Sequence, residues 1–304
     1  MPNMRERFTA VTAELLDSDP NVALVLADIG VAQFRDTGVI DRSPGRVVNV
    51  GIREQLLIGF AAGMAKEGFK PIAHSYAPFL VERPWEQIRL DFGHQGVSGI
   101  LVSIGATYDE ADWGRTHQAP EDVQLLAMLP DWRIHVPGHP DEVEAQLRAA
   151  VTDDANVYIR LSTQTNESAY LTGGPGFSTI RTGSGDAPTV VAVGPMLDVV
   201  TRATADLDVT LLYANTIRPF DSETLRAVMQ VPEVVLVEPY LEGTSTAEVS
   251  GLLQAVPHRV LSLGTSRKEN RHYGTPSEHF AAHGLDESGI RNSITEFTAQ
   301  RIPA

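Results

Sequence analysis

Short apolar runs alternate with amphipathic segments along most of this chain, and this alternation restricts the fold more than any other feature of the sequence. Residues 22–27 and 47–50 are apolar and rich in β-branched side chains, as buried strands are. Residues 53–66 carry apolar side chains at helical spacing, and Gly68 ends that helix. Because helices between parallel strands cover both faces of a sheet, the pattern predicts an α/β fold with doubly wound, mostly parallel sheets.

The alternation is interrupted once, by a segment rich in glycine. Residues 171–187 contain few large apolar side chains, and this composition is typical of a linker. Further apolar strands and helices follow it and indicate a second α/β unit. For a chain of 304 residues we therefore predict a first domain at residues 1–170 and a smaller second domain at residues 188–304.

Charge and composition exclude several classes of protein. The chain has 24 basic and 39 acidic residues, a net charge of −15, which argues against binding to nucleic acid or to an anionic membrane surface. It has no cysteine, so disulfides, thiolate zinc sites and cysteine nucleophiles are excluded. The sequence begins without the apolar stretch of a secretory signal, and no apolar run has the length of a membrane helix. We expect a cytoplasmic protein.

One carboxylate stands at the place where an α/β sheet binds ligands. Residues 49–55 read Asn-Val-Gly-Ile-Arg-Glu-Gln and put Glu54 between a predicted strand and the following helix. In an open α/β sheet, ligands bind outside the carboxyl ends of the strands. An acid at this point can also serve only to stabilise the helix dipole. Glu54 is therefore a candidate for function or for helix stability.

Two further motifs follow Glu54 along the chain. Tyr76 and Phe79 lie just after the next predicted strand, in the sequence Ser-Tyr-Ala-Pro-Phe, and residues 116–118 read Thr-His-Gln. With the Gly-Ile-Arg-Glu-Gln sequence around Glu54, this ordered set resembles the pyrimidine-binding domain of the transketolase family of thiamine diphosphate enzymes. The resemblance covers residues 5–165, and a weaker one continues to the C-terminus.

The resemblance implies roles for four residues. Thiamine diphosphate reacts through a carbanion at its thiazolium C2, which forms once ring nitrogen N1′ holds a proton, and Glu54 would hydrogen-bond N1′. Tyr76 and Phe79 would stack against the pyrimidine ring, with plain core packing as the competing interpretation. His117 would face the C2 adduct and hydrogen-bond the substrate oxygen or exchange a proton with it; a solvated loop histidine is the alternative.

Other positions are weaker candidates that the resemblance also implies. Arg83 and Asp28 match positions near the cofactor, but a surface salt bridge and a structural turn explain them equally well. His74 is a candidate for the substrate channel or for a core histidine. Trp113 stands where the family has an aspartate that contacts a sugar hydroxyl, and Asp112 is displaced from that place by one residue.

Two phosphate-binding positions depart from the family pattern as well. Ala32 aligns with a serine, and Thr163 with an arginine, that bind a sugar phosphate in the family. Phosphate recognition depends on fixed charge and hydrogen-bond donors. Because both groups are absent and Trp113 adds an indole, we expect a smaller, less polar or non-phosphorylated substrate.

The diphosphate half of a thiamine enzyme has no counterpart in this sequence. The family binds the diphosphate through Mg²⁺ with a Gly-Asp-Gly motif followed by Asn, and no such pattern occurs here. The resemblance therefore implies a split transketolase-type enzyme in which an N-terminal-type partner subunit binds the diphosphate and Mg²⁺, in an α₂β₂ assembly. No metal ligand is expected in this chain. The reaction would transfer a two-carbon ketol or acyl unit between small carbonyl compounds.

Three other functions stay open at this point. The closest is the β-subunit of a 2-oxo-acid dehydrogenase first component, although residues 116–122 look more like transketolase. The second is a carboligase similar to deoxyxylulose-phosphate synthase. The third is a non-catalytic subunit that keeps the fold, and the intact set of candidate site residues counts against it.

Overall fold

The computed structural model describes residues 2–171, 176–269 and 271–300, and its two sheets are covered by helices. The first sheet contains β1 (Val22–Leu26), β2 (Val47–Asn49), β3 (Lys70–Tyr76), β4 (Ile100–Ile104), β5 (Trp132–His135), β6 (Asn156–Arg160) and β10 (Thr216–Arg218). The strands are arranged in the order β10-β5-β6-β4-β3-β1-β2. All neighbours are parallel except β10, which is antiparallel to β5.

The second sheet belongs to the C-terminal half of the chain. It contains β7 (Phe177–Arg181), β8 (Thr189–Val193), β9 (Thr210–Ala214), β11 (Glu233–Leu241) and β12 (Arg259–Thr265). The order is β12-β11-β8-β9-β7, and only β7 runs antiparallel to its neighbour. The predicted fold class, α/β with two doubly wound and mostly parallel sheets, is confirmed.

Helices connect these strands. Those of the N-terminal half are α1 (Met4–Ser18), α2 (Val31–Asp36), α3 (Val39–Arg42), α4 (Glu54–Lys66), α5 (Trp85–Gln87), α6 (Asp122–Ala127) and α7 (Pro140–Val151). Those of the C-terminal half are α8 (Leu197–Ala203), α9 (Ser222–Val228), α10 (Thr246–Leu252), α11 (Pro276–Ala282) and α12 (Glu287–Ala299). Two π-helical turns, Pro78–Glu82 and Ile88–His94, flank α5. Within the described ranges, no helix combines the length and apolarity that a membrane crossing requires.

The central strands of the first sheet are buried on both faces, which explains their continuous apolar sequences. All residues of β1 and β4 are buried. The pairing register aligns the strand ends: Leu26 lies opposite Asn49 and His74, and Tyr76 lies opposite Ile104. The loops that follow β2, β1, β3 and β4 therefore leave the sheet side by side at one edge, which we call the carboxyl edge.

Helix α1 is an addition to the predicted pattern. Its first turn is fixed by a capping box, in which the Asn3 side chain accepts from the Glu6 N–H and the Glu6 carboxylate accepts from the Asn3 N–H. Such a cap stabilises a helix by about 1 kcal/mol. The helix buries Met4, Phe8 and Leu16 in the core on one face of the first sheet, so the N-terminal turn of α1 is held in a fixed place.

The predicted linker and the predicted second domain both contribute strands in unexpected places. Phe177–Arg181, inside the predicted linker 171–187, forms the edge strand β7, while residues 172–175 lie outside the described residues. Strand β10 from the second half extends the first sheet, and the Thr216 hydroxyl lies 2.9 Å from His135 Nδ1. The domain limits at residues 170 and 188 stay a prediction.

Candidate cofactor and substrate site

The carboxyl edge brings most of the candidate residues together. Glu54 follows β2, Tyr76 and Phe79 end and follow β3, and Trp113 and His117 lie in the loop after β4. Because β3 and β4 are neighbours, their loops meet at this edge. The sequence alone placed Glu54, Tyr76 and Phe79 after predicted strands, and the sheet order brings them beside the loop that carries Trp113 and His117.

Glu54 is a buried carboxylate with one open oxygen. It is the first residue of α4, and its side chain is only 6% exposed. Arg83 Nη1 donates to Glu54 Oε1 at 2.8 Å, and the Arg83 guanidinium stacks 3.9 Å from the centre of the Phe79 ring. Glu54 Oε2 accepts no hydrogen bond from any residue that the structure describes. The salt bridge therefore fixes the carboxylate and leaves one oxygen available to a ligand.

The turn before Glu54 is held by Asn49. The Asn49 Oδ1 atom accepts from the backbone N–H groups of Asp28 and Gly51, and its amide donates to Asp28 Oδ1 at 2.8 Å. Gly51 has a φ of 72°, a conformation that glycine adopts without strain. Asp28 also has a positive φ, of 63°. The described contacts of Asp28 are those of a turn residue that orients the segment leading to Glu54.

Four aromatic side chains form one cluster beside Glu54, which we call the aromatic cluster: Tyr76, Phe79, Trp113 and His117. The ring centres of Phe79 and His117 lie 5.0 Å apart, those of Tyr76 and Phe79 5.9 Å, and those of Trp113 and His117 4.8 Å. All three pairs are edge-to-face, the geometry that aromatic rings favour. The Trp113 side chain is 55% exposed, so the cluster is open to solvent on that side.

The Thr116 hydroxyl sets the orientation of His117. It lies 3.0 Å from His117 Nδ1, while Nε2 has no hydrogen-bond partner in the described parts of the chain. The pair comes from the Thr-His-Gln motif, and the third member, Gln118, is buried and donates to the Ala111 carbonyl. Imidazole needs only one fixed nitrogen to present the other to a substrate.

The structure places His74 in the core and not in the aromatic cluster. Its ring is 1% exposed and contacts Phe8 and Phe34, and its Nδ1 lies 2.8 Å from the Val102 carbonyl oxygen. Burial lowers the pKa of His74 to about 4, because the charged imidazolium is disfavoured away from water. Its contacts are those of a structural histidine.

A cavity of about 290 Å³, which we call the Arg5 cavity, opens next to Tyr76, at the ends of β4 and β6. Thr163 lines it and donates to Asp109 through both its N–H and its hydroxyl, at 2.9 and 2.8 Å. Burial raises the pKa of Asp109 to about 6, although these hydrogen bonds oppose that effect. The Tyr76 hydroxyl interacts with the Glu110 carboxylate and the Arg5 guanidinium.

Two residues at this edge were missing from the candidates derived from the sequence. Glu82 lies on the same turn as Arg83; burial, and next the charge of Glu121, raise its pKa to about 7. Its Oε1 atom is buried and has no hydrogen-bond partner among the described residues. The sequence could have indicated Glu82, because it lies between two candidate residues, three positions after Phe79 and directly before Arg83. Arg5 gave no such signal, because α1 reaches the site only through tertiary packing.

Helix α4 carries exposed apolar side chains beside Glu54. Leu56 and Phe60 are exposed at helical spacing, and Ile52 continues the stripe into the preceding turn at 71% exposure. A contiguous exposed apolar stripe is typical of a surface that another protein covers. Across the described residues, no three His, Cys, Asp or Glu side chains are grouped to hold a metal ion.

Together these features define an α/β protein whose candidate site lies at the carboxyl edge of a parallel sheet, with a buried carboxylate beside an aromatic surface. Residues 1–167 match the family described as transketolase, pyrimidine binding domain, which is more than half of the chain. The chain belongs to this family, and the resemblance found in the sequence is confirmed.

Similar proteins agree with this assignment. The uncharacterized 33.6 kDa protein in the fasciation locus of Rhodococcoides fascians is 48% identical over 97% of this chain and 95% of its own length. The 6-deoxy-6-sulfo-D-fructose transketolase subunit SqwH of Clostridium sp. is 28% identical over 77% of this chain and 75% of its own length. The 1-deoxy-D-xylulose-5-phosphate synthase of Albidiferax ferrireducens is 29% identical, and this chain spans 49% of its length.

The fold also matches a solved structure along its whole length. A structure described as a split gene transketolase, inactive beta4 tetramer, superposes with a TM-score of 0.84. The match covers 98% of this chain and 99% of that chain at 23% sequence identity. At this identity the likeness shows a shared fold.

Proposed function

We propose that this chain is the pyrimidine-binding subunit of a split thiamine diphosphate enzyme that transfers a two-carbon ketol or acyl unit between small carbonyl compounds. The observation that carries the proposal is the buried Glu54 carboxylate, held at one oxygen by Arg83 and open at the other, next to the aromatic cluster. The substrate is expected to differ from the standard sugar phosphates, because Trp113 and Thr163 replace the family's sugar and phosphate contacts.

The residues at the site fit the pyrimidine half of the cofactor. When bound, thiamine diphosphate supplies a nucleophilic carbanion at C2. The open Oε2 of Glu54 would hold a proton at N1′ of the pyrimidine, and Arg83 would keep the carboxylate oriented toward that atom. Tyr76 and Phe79 would offer apolar ring surface, which contributes about 1 kcal/mol beyond burial.

His117 and Trp113 would act on the substrate. Nε2 of His117, which has no hydrogen-bond partner among the described residues, would hydrogen-bond a substrate carbonyl or hydroxyl oxygen and exchange a proton with it. Trp113, against the His117 ring, would limit the size of the substrate and exclude water from it.

A partner subunit would complete the site. The diphosphate and Mg²⁺ would be bound mainly by that partner, in an α₂β₂ assembly, and the exposed stripe of Ile52, Leu56 and Phe60 supports a contact surface next to Glu54. Two similar proteins are described as a transketolase subunit and as a split gene transketolase, and they support the same arrangement here.

The test is reconstitution with a partner that carries the Gly-Asp-Gly…Asn motif. Hydroxypyruvate as donor, glycolaldehyde as acceptor, thiamine diphosphate and Mg²⁺ should give a ketol product only when both subunits are present. Glu54→Gln should lower kcat by at least about a hundredfold, the size of effect typical of a lost acid–base group. Glu67→Gln, an exposed glutamate just after the other end of α4, is the control and should leave kcat unchanged.

Calorimetry gives a second measurement that does not depend on turnover. The reconstituted complex should bind thiamine diphosphate, and Glu54→Gln should weaken that binding. Full activity of the isolated chain would contradict the split site. Equal activity of Glu54→Gln and the unmodified complex would instead favour a non-catalytic subunit.

A further inference from the structure

Arg5, in the first turn of α1, lines the Arg5 cavity. Ile104 and Leu161, at the ends of β4 and β6, form apolar wall, and Asp109 and Glu110 also line the cavity. The capping box and the buried face of α1 fix the helix, so Arg5 is held at this place by the core of the domain. The cavity therefore has a charged side chain with a defined position.

Three features of Arg5 are unfavourable in the free protein. None of the ion pairs found among the described residues involves Arg5. Its Nε atom is buried and lacks a hydrogen-bond partner there, which costs about 1–3 kcal/mol for a buried donor. A positive charge in the first turn of a helix also opposes the helix dipole. An anion bound in the cavity would supply the missing ion pair and offset the unfavourable interaction with the helix dipole.

Arg7, two residues further along the same helix, shows the usual situation. It forms ion pairs with Asp141 and Glu144 of α7. The two arginines are close in sequence but differ in their partners. Arg7 joins two helices through ion pairs, whereas Arg5 lines a cavity and forms no ion pair with a described residue. Arg7 is therefore a matched control for Arg5.

We propose that the Arg5 cavity is a subsite for a carboxylate group of the substrate and that Arg5 binds this carboxylate through its guanidinium. The proposal rests on the proposed function, since it concerns the substrate of the same site. A guanidinium matches a carboxylate with two parallel hydrogen bonds, and the N-terminus of α1 adds partial positive charge.

The neighbouring acids favour a single negative charge over a phosphate dianion. Asp109 accepts hydrogen bonds from Ser162, Thr163 and the Ala106 N–H, so its oxygens are occupied within the protein. Glu110 interacts with the Tyr76 hydroxyl. The cavity has one basic residue, Arg5, and two acidic residues, Asp109 and Glu110. This local charge is unfavourable for a phosphate dianion, whereas a monoanion needs only Arg5 as its partner.

Tyr76 links the cavity to the aromatic cluster. Its ring lies 5.7 Å from the His117 ring, and its hydroxyl interacts with Arg5. Gly105 lines the cavity directly behind the Tyr76 ring, where a Cβ atom would lie 2.5 Å from Tyr76 Cδ1. A short substrate can therefore have its carbonyl group near His117 and its carboxylate past Tyr76.

The first test uses the reconstituted complex with two acceptors of equal chain length, 4-oxobutanoate and butanal. The ratio of their kcat/KM values measures recognition of the carboxylate. Arg5→Gln should lower this ratio about tenfold or more, because a charge-assisted hydrogen-bond pair is lost. Arg5→Lys should lower it less, and the control Arg7→Gln should leave the ratio unchanged. An unchanged ratio in Arg5→Gln would overturn the subsite while leaving the proposed function intact.

The second test measures binding alone and uses the isolated chain. Arginine side-chain NMR should show the Arg5 Nε–H signal shifting on addition of butanoate and not of butanamide, and Arg5→Gln should abolish butanoate binding. If butanoate binds in this way but the reconstituted complex shows no turnover, the subsite would be supported and the proposed function would be contradicted. Tighter binding of inorganic phosphate than of butanoate would overturn the carboxylate assignment, and thermal unfolding checks that each variant is folded.

Discussion

Two arginine–carboxylate pairs in the N-terminal half of the chain have similar donor–acceptor distances and different surroundings. Arg83 and Glu54 lie 2.8 Å apart at the carboxyl edge, and the Arg83 side chain is 44% exposed. Arg160 and Asp122 lie 2.7 Å apart in the core, where their side chains are 1% and 0% exposed. We call Arg83–Glu54 the open pair, because a ligand can reach it from solvent. We call Arg160–Asp122 the closed pair, because it is fully buried.

The closed pair belongs to a network with no room for a ligand. Tyr158 donates to the same Asp122 oxygen as Arg160, at 2.7 Å, and Arg160 also donates to the Thr107 hydroxyl and, more weakly, to the Ala119 carbonyl. Thr107 in turn donates to the Pro239 carbonyl, which follows Glu238 in the second sheet's strand β11. The network thus joins the two halves of the molecule, and its function is structural.

The two pairs contain the same kinds of residue. They differ in how deeply the side chains are buried and in how many other hydrogen bonds the charged groups form. Loss of Asp122 would leave an uncompensated charge in the core, whereas after loss of Glu54 the half-exposed Arg83 guanidinium would still be screened by water. The three predictions below concern the core and the edge of the sheet.

The largest expected effect is on stability and comes from the closed pair. Asp122→Asn should lower the free energy of unfolding by about 3–5 kcal/mol, because the Arg160 charge stays buried without a counter-charge. Glu54→Gln should lower it by less than about 1 kcal/mol. Urea denaturation of the two variants measures the contrast. Similar losses in both would show that the two pairs do not differ in the way that their surroundings indicate.

The second effect is the acid sensitivity that His74 gives to the core. Its pKa is lowered from 6.5 to about 4 by burial, so between these values the unfolded chain binds a proton that the folded chain excludes. The stability that neutral His74 maintains should therefore be lost as the pH falls from about 6.5 to about 4, by about 3 kcal/mol in total. His135, whose pKa burial also lowers to about 4, adds a loss of the same sign.

The measurement is the difference between the unmodified chain and His74→Phe. Asp109 and Glu238, whose pKa values burial raises to about 6 and about 7, bind protons more readily in the folded state and act in the opposite direction. The unfolding free energies at pH 7 and pH 4.5 should therefore be compared between the two chains. An equally steep acid loss in His74→Phe would exclude His74 as a source of the sensitivity.

The smallest effect concerns the arginine of the open pair. Arg83→Lys keeps the charge but loses the planar group that stacks on Phe79 and the fixed bond to Glu54. We expect the reconstituted enzyme to lose about tenfold in kcat/KM while the free energy of unfolding changes by less than about 1 kcal/mol. Steady-state kinetics and urea denaturation measure the two quantities. A large loss of stability would place Arg83 with the structural pair.

The sequence alone was sufficient for most strands of the two sheets, although it missed β7 and β10. Apolar period and strand length are local properties, and parallel strands end at one edge whatever the side chains are. The family resemblance added the expectation that Tyr76, Phe79 and His117 lie near Glu54, and the structure brings these residues together at one edge. Their chemical roles stay a proposal, to be tested by the variants described above.

Tertiary structure decided which charged groups meet. Glu54 has Arg83 as its partner and Asp122 has Arg160, partners 29 and 38 positions away in sequence. Arg5 is near the start of the sequence, and the packing of α1 brings it to the edge formed by the ends of β4 and β6. Such pairings depend on sheet order, register and helix packing. A local sequence pattern does not contain this information, because residues that are neighbours in space can be far apart in sequence. The sequence thus determined the sheet and its edge, and packing determined which charges at that edge are closed and which are open.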